Sequence, residues 1–355
     1  MTTEASQRHG RPTLAAVAAR AGVSPSTASL AFSGAGPVSD ATRARVLAAA
    51  EELDYAGPDP RAQSLRRGRS GIIGVVMEDR LADAFRDPMN VAMLDGLADE
   101  TGAAGAALLL LTETGSELAS IASAPMDAVV LIGCSPSLED IVAVLRQRGL
   151  PIVAVEARPM DAVLSIGLQN RKGSALIARH LKELGHERVA VASLPTERSH
   201  SARPLETNWA DSATSEVAIQ RLMGVEDVFG PVAGFVASTS SIDAGLEAGL
   251  ALLADPATRP TGVIAQSDLL ALGVIRAAEQ LGLKVPGNLS VVGFDGARID
   301  SVYDLTTMVQ PAVEKGRAAG RAIVELLAGG SPEPVDFTSE FHLGNTSGPP
   351  EVNQR

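Results

Sequence analysis

The sequence predicts a small all-α head at the N-terminus followed by a larger α/β body with parallel sheets. Up to about residue 55, apolar residues recur at the three- and four-residue spacing of helices, whereas after Ile72 they gather in short runs between longer helical segments. The charge changes at the same place: residues 1–70 hold nine arginines and six acidic residues, net +3, and the remainder carries −15. A basic head on an acidic body favours contact with a polyanion through the head alone.

The segment 13–29, TLAAVAARAGVSPSTAS, has the spacing of two short helices joined by a tight turn, a helix-turn-helix. One face of the first helix carries four apolar residues: Leu14, Val17, Ala18 and Ala21. Gly22 follows, where the left-handed conformation that ends a helix costs little. Ser24 is then placed to cap a second helix that begins with Pro25.

A third helix and a linker complete the N-terminal region. Ser39 is placed to cap a helix that runs to about Asp54, and its buried face is marked by Val46, Ala49, Ala50 and Leu53. Gly57 and Pro58 then interrupt the chain, and an arginine-rich segment with some helical capacity, residues 60–67, precedes the first apolar run.

Short apolar runs predict the strands of the body. They cover residues 72–77, 107–112, 128–133, 151–156, 188–193, 234–238, 262–266 and 289–294. The predicted helices between them cover residues 90–101, 138–148, 172–184, 242–253, 269–281 and 313–327. Strands that alternate with helices predict two parallel sheets with right-handed crossovers. Ligands of such sheets lie at the carboxyl ends of the strands, so a cleft between two lobes is the expected site.

Several function classes lack their motifs in this sequence. Cys134 is the single cysteine, which excludes a disulfide framework and a cysteine zinc site. None of the five histidines has a metal-ligand spacing, and neither a phosphate loop nor a nucleophile elbow occurs, so neither enzymatic activity nor a metal or cofactor is expected. The polar start carries no secretory pattern, and the longest apolar run, 103–111, is about half a membrane span. A soluble, cytoplasmic protein with no membrane partner is expected.

Five segments resemble, in order, the lac repressor (LacI/GalR-type) family of bacterial transcriptional regulators. They are the helix-turn-helix, VSDATRARVLAAAEELDY, PDPRAQSLRRGRSGIIGVV, IGLQNRKGSALIARHLKELGHERVAVAS, and VIAQSDLLALGVIRAAEQLGLKVPGNLSVVGFDG with LTTMVQP close behind it. The resemblance implies a periplasmic-binding-protein-like, two-lobed body, with the chain crossing between lobes near 161–165 and again after Phe294. The expected organisation is a disordered tail (1–11), DNA-binding domain (12–57), hinge helix (58–70), effector-binding and dimerisation domain (71–343) and disordered tail (344–355).

The resemblance also implies which residues touch DNA. In the head they are Thr13, Ser24, Pro25, Ser26, Thr27, Ser29, Leu30 and Ser33, and in the hinge Ala62, Leu65 and Arg66. Many family members carry arginine where this chain has Leu30, and a leucine reads a thymine methyl group rather than a guanine edge. Leu65 matches the leucine that the family wedges into the minor groove.

Effector contacts are implied in the same way. The candidates are Glu78, Phe85, Glu156, Arg221, Ser267, Asp295 and Gln310. Arg221 competes with Arg203, because residues 196–214 resemble an insertion that shifts the alignment. Asp268 is expected to cap a helix rather than to bind a ligand. For stacking on a sugar ring, the candidates are Phe85, Trp209 and Phe235.

The resulting hypothesis is an allosteric homodimer that binds a pseudo-palindromic operator of double-stranded DNA at the nucleoid. A small-molecule effector, a sugar, would bind between the lobes and change operator affinity, with repression as the expected output. Two alternatives stay open: a regulator of the same family that has lost its effector response, as the substitutions Gln169 and Ser267 allow, and a solute-binding protein with no DNA role.

Overall fold

The computed structural model describes residues 12–34, 36–58, 68–77, 84–112, 118–133, 138–197, 199–298 and 302–351. The chain forms two compact units, Met1–Ser70 and Gly71–Arg355. The expected tail 1–11, most of the expected hinge helix (59–67) and residues 352–355 lie outside the described residues.

The first unit contains three short helices, α1 (Leu14–Ala21), α2 (Pro25–Ser33) and α3 (Asp40–Glu52). A hydroxyl caps each one: Thr13 accepts from the amide of Ala16, Ser24 from Thr27 and Ser39 from Thr42. Gly22 adopts φ 66°, and its amide closes α1 on the carbonyls of Ala18 and Ala19. The core is built from small residues, among them Val17, Ala18, Ala28, Val46 and Ala50. The three helices and the caps Ser24 and Ser39 agree with the sequence prediction, whereas the cap Thr13 was not predicted.

The second unit alternates strands and helices. The strands are β1 (Ile72–Met77), β2 (Ala107–Thr112), β3 (Ala128–Ile132), β4 (Ile152–Val155), β5 (Leu164–Leu168), β6 (Val189–Ser193), β7 (Arg203–Pro204), β8 (Ala233–Val236), β9 (Gly262–Ala265), β10 (Ser290–Asp295), β11 (Thr306–Val309), β12 (Val335–Phe337) and β13 (Glu340–His342). The helices are α4 (Pro88–Ala103), α5 (Leu118–Ser123), α6 (Leu138–Gln147), α7 (Asn170–Glu183), α8 (Glu216–Phe229), α9 (Ile242–Leu253), α10 (Asp268–Gln280) and α11 (Ala312–Leu327), with a 3-10 turn at Trp209–Asp211.

These strands form two sheets, one in each lobe. The sheet of lobe 1 has the order β12-β5-β4-β3-β1-β2 and all of its pairings are parallel. The sheet of lobe 2 has the order β13-β11-β10-β9-β6-β8-β7, with antiparallel strands only at its two edges. Helices cover these sheets because βαβ crossovers place them on the faces. The predicted two-lobed architecture with parallel sheets is confirmed.

The chain crosses between the lobes at other positions than predicted. It passes from β5 to α7 at Gln169, from β11 to α11 at residues 310–311, and from β12 to β13 at residues 338–339. The first crossing was expected at residues 161–165, but Leu164–Leu168 pair with β4 and still belong to lobe 1. The second was expected after Phe294, but β11 first returns to the sheet beside β10. The short polar strands β5 and β11 lack the continuous apolar run that identified the others.

The expected disordered tail from residue 344 is wrong for residues 344–351. Thr346 is fully buried, and its carbonyl oxygen accepts a hydrogen bond from the amide of Val291 at 2.8 Å. The hydroxyl of Ser290 donates to the carbonyl of Gly348 at 2.9 Å, and the ring of His186 contacts the same carbonyl. A segment rich in glycine and proline suggested disorder, but an extended chain is ordered where strand ends and side chains satisfy its backbone.

Close contact between two helices fixes the position of α11 in lobe 1. A Cβ atom on Gly316 would lie 2.0 Å from the carbonyl oxygen of Met93, and one on Gly96 would lie 2.0 Å from that of Val313. Only glycine allows α4 and α11 to approach this closely. The residue before Gly316 is Lys315, so this packing also sets where Lys315 enters the cleft between the lobes.

Candidate functional site

A cavity of about 160 Å³ lies between the two lobes of the body. Residues directly after or at the end of strands line it: Glu156 follows β4, Leu194 follows β6 and Asp295 ends β10. The start of α4 and the first turn of α11 close it from lobe 1. The site therefore lies at the carboxyl ends of the strands, as expected for parallel sheets.

Six polar side chains close into a ring at this cleft, in the order Glu156, Lys315, Gln310, Asp295, Arg221 and Asn170. Two of them belong to lobe 1, two to lobe 2, and Gln310 and Asn170 lie on or beside the first two crossings. A ligand that enters the cleft therefore meets side chains that also connect the lobes.

The half of the ring in lobe 1 is built around a buried cation. Lys315 is 1% exposed, and its Nζ donates hydrogen bonds to Oε1 of Glu156 and to Oε1 of Gln310. Asn170 Nδ2 donates to the second oxygen of Glu156 at 2.9 Å. A lysine ammonium has three donors, so one remains for a ligand beyond these two bonds.

The half of the ring in lobe 2 is built around Arg221, which is 3% exposed. Its Nε donates to Oδ1 of Asn170 at 2.8 Å, and Nη1 donates to the carbonyl of Gln266. Nη1 also lies 3.6 Å from Oδ1 of Asp295, which accepts a further hydrogen bond from Nε2 of Gln310. The guanidinium stacks on the ring of Phe294, with Cζ 3.8 Å from the ring centroid.

Burial and charge act in opposite directions on the acidic groups of the cleft. Burial by itself raises the pKa of Glu156, but the charges of Lys315 and Arg221 and the hydrogen bonds from Asn170 and Lys315 hold that pKa below its ordinary value. Burial raises the pKa of Asp295 well above its ordinary value, against the attraction of Arg221 and with support from neighbouring carboxylates. The cleft therefore holds one firmly ionised acid and one that is readily protonated.

Backbone conformation marks the same two acids. Glu156 has φ 57° and Asp295 has φ 138°, both in the positive range that L side chains rarely adopt. Such strain persists where the surroundings fix the residue, and it clusters at binding and active sites. Both acids of the ring therefore hold a strained backbone conformation, which Asp54, Ala162 and His200 also adopt.

Five of the seven predicted effector contacts line the cleft. Glu156, Arg221, Ser267, Asp295 and Gln310 lie together and line the cleft. Phe85 is 54% exposed and is not among the residues that line it, and Glu78 lies outside the described residues.

The three candidates for sugar stacking and the rival arginine do not reach the cavity. Phe235 and Trp209 are buried in the cores of lobe 2, where Trp209 Nε1 donates to Glu226 at 3.1 Å. Arg203 pairs with Glu197 at 3.0 Å in the edge region of the sheet. Their residue types fit a sugar site, but each is held by its own element away from the cleft.

Ser267 rather than Asp268 caps α10. The hydroxyl of Ser267 accepts from the amide of Leu270 at 3.2 Å, whereas the carboxylate of Asp268 accepts from Thr307 Oγ1 at 2.6 Å and from the amide of Ala297 at 2.7 Å. The predicted cap is therefore wrong by one residue, because Asp268 points into the sheet. Burial raises its pKa to about 6, against these hydrogen bonds and the charge of Arg221.

Several lining residues and partners of the cleft were not predicted, among them Asn170, Lys315, His200 and Asp87. A signal for Lys315 was present, because it falls between Ala312, Gly316 and Ala319 on the buried face of α11. A lysine on an apolar helix face requires a partner. Asn170, His200 and Asp87 have no such pattern around them in the sequence.

The predicted DNA contacts of the head lie in or beside α2, apart from Thr13, which precedes α1. Most of them are exposed, namely Thr13, Ser24, Pro25, Ser26, Leu30 and Ser33, while Thr27 and Ser29 are partly buried. Ser24 Oγ lies 2.8 Å from Thr27 Oγ1, so the cap and its neighbour form one polar pair at the start of α2. The predicted hinge contacts Ala62, Leu65 and Arg66 lie outside the described residues.

The part of the chain that the structure describes contains neither a membrane-spanning helix nor a cluster of metal-ligating side chains. None of its helices is long and apolar enough to cross a membrane. Its histidine, cysteine and acidic side chains form no group of three that could hold a metal ion.

Comparison with known proteins covers both units. Residues 13–57 match the model of bacterial regulatory proteins of the lacI family, and residues 178–341 match the periplasmic binding protein-like domain. The transcriptional regulator IpsA of Corynebacterium glutamicum is 31% identical over 97% of this chain and 99% of its own length.

Solved structures show the same fold. The lac repressor dimer bound to operator and the anti-inducer ONPF is 23% identical and superposes with a TM-score of 0.78, over 96% of this chain and 100% of that one. The regulator CelR in complex with cellobiose is 24% identical with a TM-score of 0.65, over 95% and 100%. The relatives are transcriptional regulators rather than enzymes. The chain belongs to the lac repressor family of bacterial transcriptional regulators, with a DNA-binding domain at its N-terminus and a periplasmic-binding-like body.

Proposed function

We propose that this protein is a cytoplasmic repressor that binds a pseudo-palindromic operator as a homodimer and responds to a sugar in the cleft. The observation that carries the proposal is the ring of six side chains, which joins the two lobes and five of which line the cleft. A molecule that exchanges hydrogen bonds with the ring changes the contacts between the lobes, and this is the physical requirement for an effector.

The polarity of the cleft favours a neutral ligand with several hydroxyl groups. Lys315 is paired with Glu156, whose ionised form balances its charge, and the donors of Arg221 are directed to Asn170 and to the carbonyl of Gln266. A carboxylate accepts hydrogen bonds from two neighbouring hydroxyls, and the amides of Gln310 and Asn170 supply both donors and acceptors. The cavity of about 160 Å³ is smaller than the range of about 300–1,000 Å³ that is usual for drug-sized ligands, which suits one small ring. The regulator CelR is bound to cellobiose, which supports a neutral ligand with several hydroxyl groups, although cellobiose itself has two rings.

Effector and operator would then be coupled through the lobes. If the ligand changes operator affinity by some factor, operator must change ligand affinity by the same factor. The proposed DNA contacts are the exposed residues of α2 with Thr13 and, in the hinge, Ala62, Leu65 and Arg66. Leu30 is 38% exposed and would pack on a thymine methyl group.

The test is selection of bound duplexes from a random DNA pool, followed by titration of the selected site with and without neutral sugars. We expect a site with two related half-sites and a shift in operator affinity of about 5- to 150-fold with one sugar. A selected site without any response to sugars would instead support a regulator that has lost its effector. Failure to enrich any sequence would contradict the proposal.

Leu65→Ala is expected to weaken operator binding while sugar binding is unchanged, because a leucine wedged between base steps stabilises a kinked duplex that contacts more protein. The measurement is operator affinity by anisotropy at fixed salt, since affinity for DNA falls steeply with ionic strength. Equal operator affinity for variant and wild type would contradict the role of Leu65. Ser64→Ala, one residue away, is the matched control.

A further inference from the structure

Residues 196–215 form a long loop on lobe 2, which we call the His200 loop, and residue 198 is its one undescribed position. The carbonyl oxygen of Thr196 accepts from the amides of Thr214 at 2.8 Å and Ser215 at 3.1 Å, so the two ends of the loop are held together. A connection of this length, with only a two-residue strand and one 3-10 turn of its own, is uncommon in compact domains.

The body of the loop is anchored to the lobe. Arg203 and Pro204 pair with β8 as an antiparallel edge strand, and the amide of Leu205 donates to the carbonyl of Gly234 at 2.8 Å. Trp209 is 8% exposed and donates from Nε1 to Glu226 at 3.1 Å. These contacts leave the loop little freedom, so the residues that it presents to the cleft are held in place.

The loop reaches the cleft at both of its ends, through His200 and Ser215. His200 has φ 47°, and its amide approaches the carbonyl of Glu197 at 3.4 Å. Its Nδ1 lies 3.1 Å from the carbonyl oxygen of Ser238, two residues after the end of β8. The side chain is therefore oriented by the loop that follows β8, although the residue itself is exposed.

This contact fixes which nitrogen carries the proton. A carbonyl oxygen only accepts, so Nδ1 must be the protonated nitrogen, and in the neutral imidazole Nε2 then keeps a free lone pair. A ligand hydroxyl can donate to this lone pair, whereas a carbonyl or an ether oxygen cannot. His200 would add a neutral acceptor to the carboxylates of Glu156 and Asp295 and the amide oxygen of Gln310 that line the same cleft.

We propose that His200 is a specificity-determining residue whose Nε2 accepts a hydrogen bond from one hydroxyl of the bound sugar, and that the His200 loop exists to hold it at the cleft. The inference rests on the proposed function, since it concerns the ligand of the same cleft. It adds a selection rule: one position of the sugar must carry a hydrogen-bond donor.

The experiment uses the full-length protein and isothermal titration with D-glucose, D-galactose, D-ribose and D-xylose. For each sugar that binds wild type, derivatives with one hydroxyl replaced by fluorine are titrated in turn, since fluorine does not donate. The variants are His200→Ala, His200→Gln and, as the matched control, Asn208→Ala, which changes an exposed residue of the same loop outside the cleft.

His200→Ala is expected to weaken binding about 3- to 10-fold, and one fluoro derivative is expected to weaken wild-type binding by a similar factor. That derivative should lose no further affinity in His200→Ala, because both changes remove the same bond. His200→Gln restores an acceptor and should recover part of the affinity, and Asn208→Ala should bind as wild type does.

Two results overturn the inference in distinguishable ways. If wild type binds a sugar and His200→Ala binds it equally well, or if every fluoro derivative loses affinity independently of residue 200, His200 does not read the ligand and the proposed function survives. If wild type binds none of the four sugars, the proposed sugar effector fails and this inference fails with it.

Discussion

Replacing Lys315 with methionine is expected to lower the free energy of unfolding of the body by about 3–5 kcal/mol, the usual cost of removing one partner of a buried ion pair. Lys315 is 1% exposed and contacts Glu156, which is itself about 10% exposed. Methionine has a similar length and fills the same space between α11 and β4. The loss would therefore come from the uncompensated charge of Glu156 and not from a cavity. Urea unfolding followed by circular dichroism measures it.

The pH dependence separates this cause from a packing defect. In wild type the pKa of Glu156 is lowered, so its contribution to stability is present above its unfolded pKa and is lost as pH falls through the folded value. Without Lys315, burial dominates and raises that pKa, so the variant loses stability as pH rises. The difference between wild type and Lys315→Met should shrink towards acid pH. The double variant Lys315→Met/Glu156→Gln should recover most of the stability, and an unrecovered loss at all pH values would contradict the ion-pair explanation.

Asp268→Asn is expected to remove a pH-dependent contribution to stability on the order of 3 kcal/mol, because burial raises the pKa of Asp268 to about 6 from an ordinary value of 3.8. A raised pKa in the folded state stabilises the protein below the unfolded pKa, and this stabilisation is lost as pH rises through the folded pKa. Between about pH 4 and pH 7, stability from this group should therefore fall. Asp295 acts in the same direction, since its pKa is also raised by burial.

The measurement is a series of urea unfolding curves between pH 4 and pH 8 for wild type, Asp268→Asn and the exposed control Asp243→Asn. The curve of stability against pH should be flatter for Asp268→Asn than for the other two proteins. The amide oxygen of asparagine can accept from the amide of Ala297, and its NH2 group can donate to Thr307 Oγ1, because a hydroxyl also accepts, so the fold should persist. Parallel curves for all three proteins would show that Asp268 titrates at its ordinary pKa.

The elements that the sequence predicted well are those with a strong local signal. The strands β1, β3 and β9 are continuous apolar runs, because a parallel strand is covered on both faces and needs no alternation. In the head, the hydroxyls before α1, α2 and α3 act within three residues of themselves, so their spacing is sufficient to locate the caps.

The elements that were missed depend on distant partners. The strand β5 has the sequence LSIGL, which has no continuous apolar run. It is stabilised as a strand by its pairing with β4 and β12. The helix α8 has apolar residues at helical spacing, but it directly follows residues 196–214, which resemble an insertion, and no helix was predicted there. The tail at 344–351 is ordered by the ends of β10 and β11, which are about 40–60 residues away in the chain.

The sequence by itself determined the head, the alternation of strands and helices, and five residues that line the cleft, because local spacing and family motifs carry that information. Only the tertiary structure decided which side chains in the cleft contact one another. Lys315 meets Glu156 across 159 residues of chain, and Arg221 meets Asn170 across 51. Such contacts depend on where the chain crosses between the lobes and on how closely α4 and α11 pack. When the cost of burying a charged or polar side chain is offset only by a partner that is distant in the chain, the sequence carries no periodic signal of the pair.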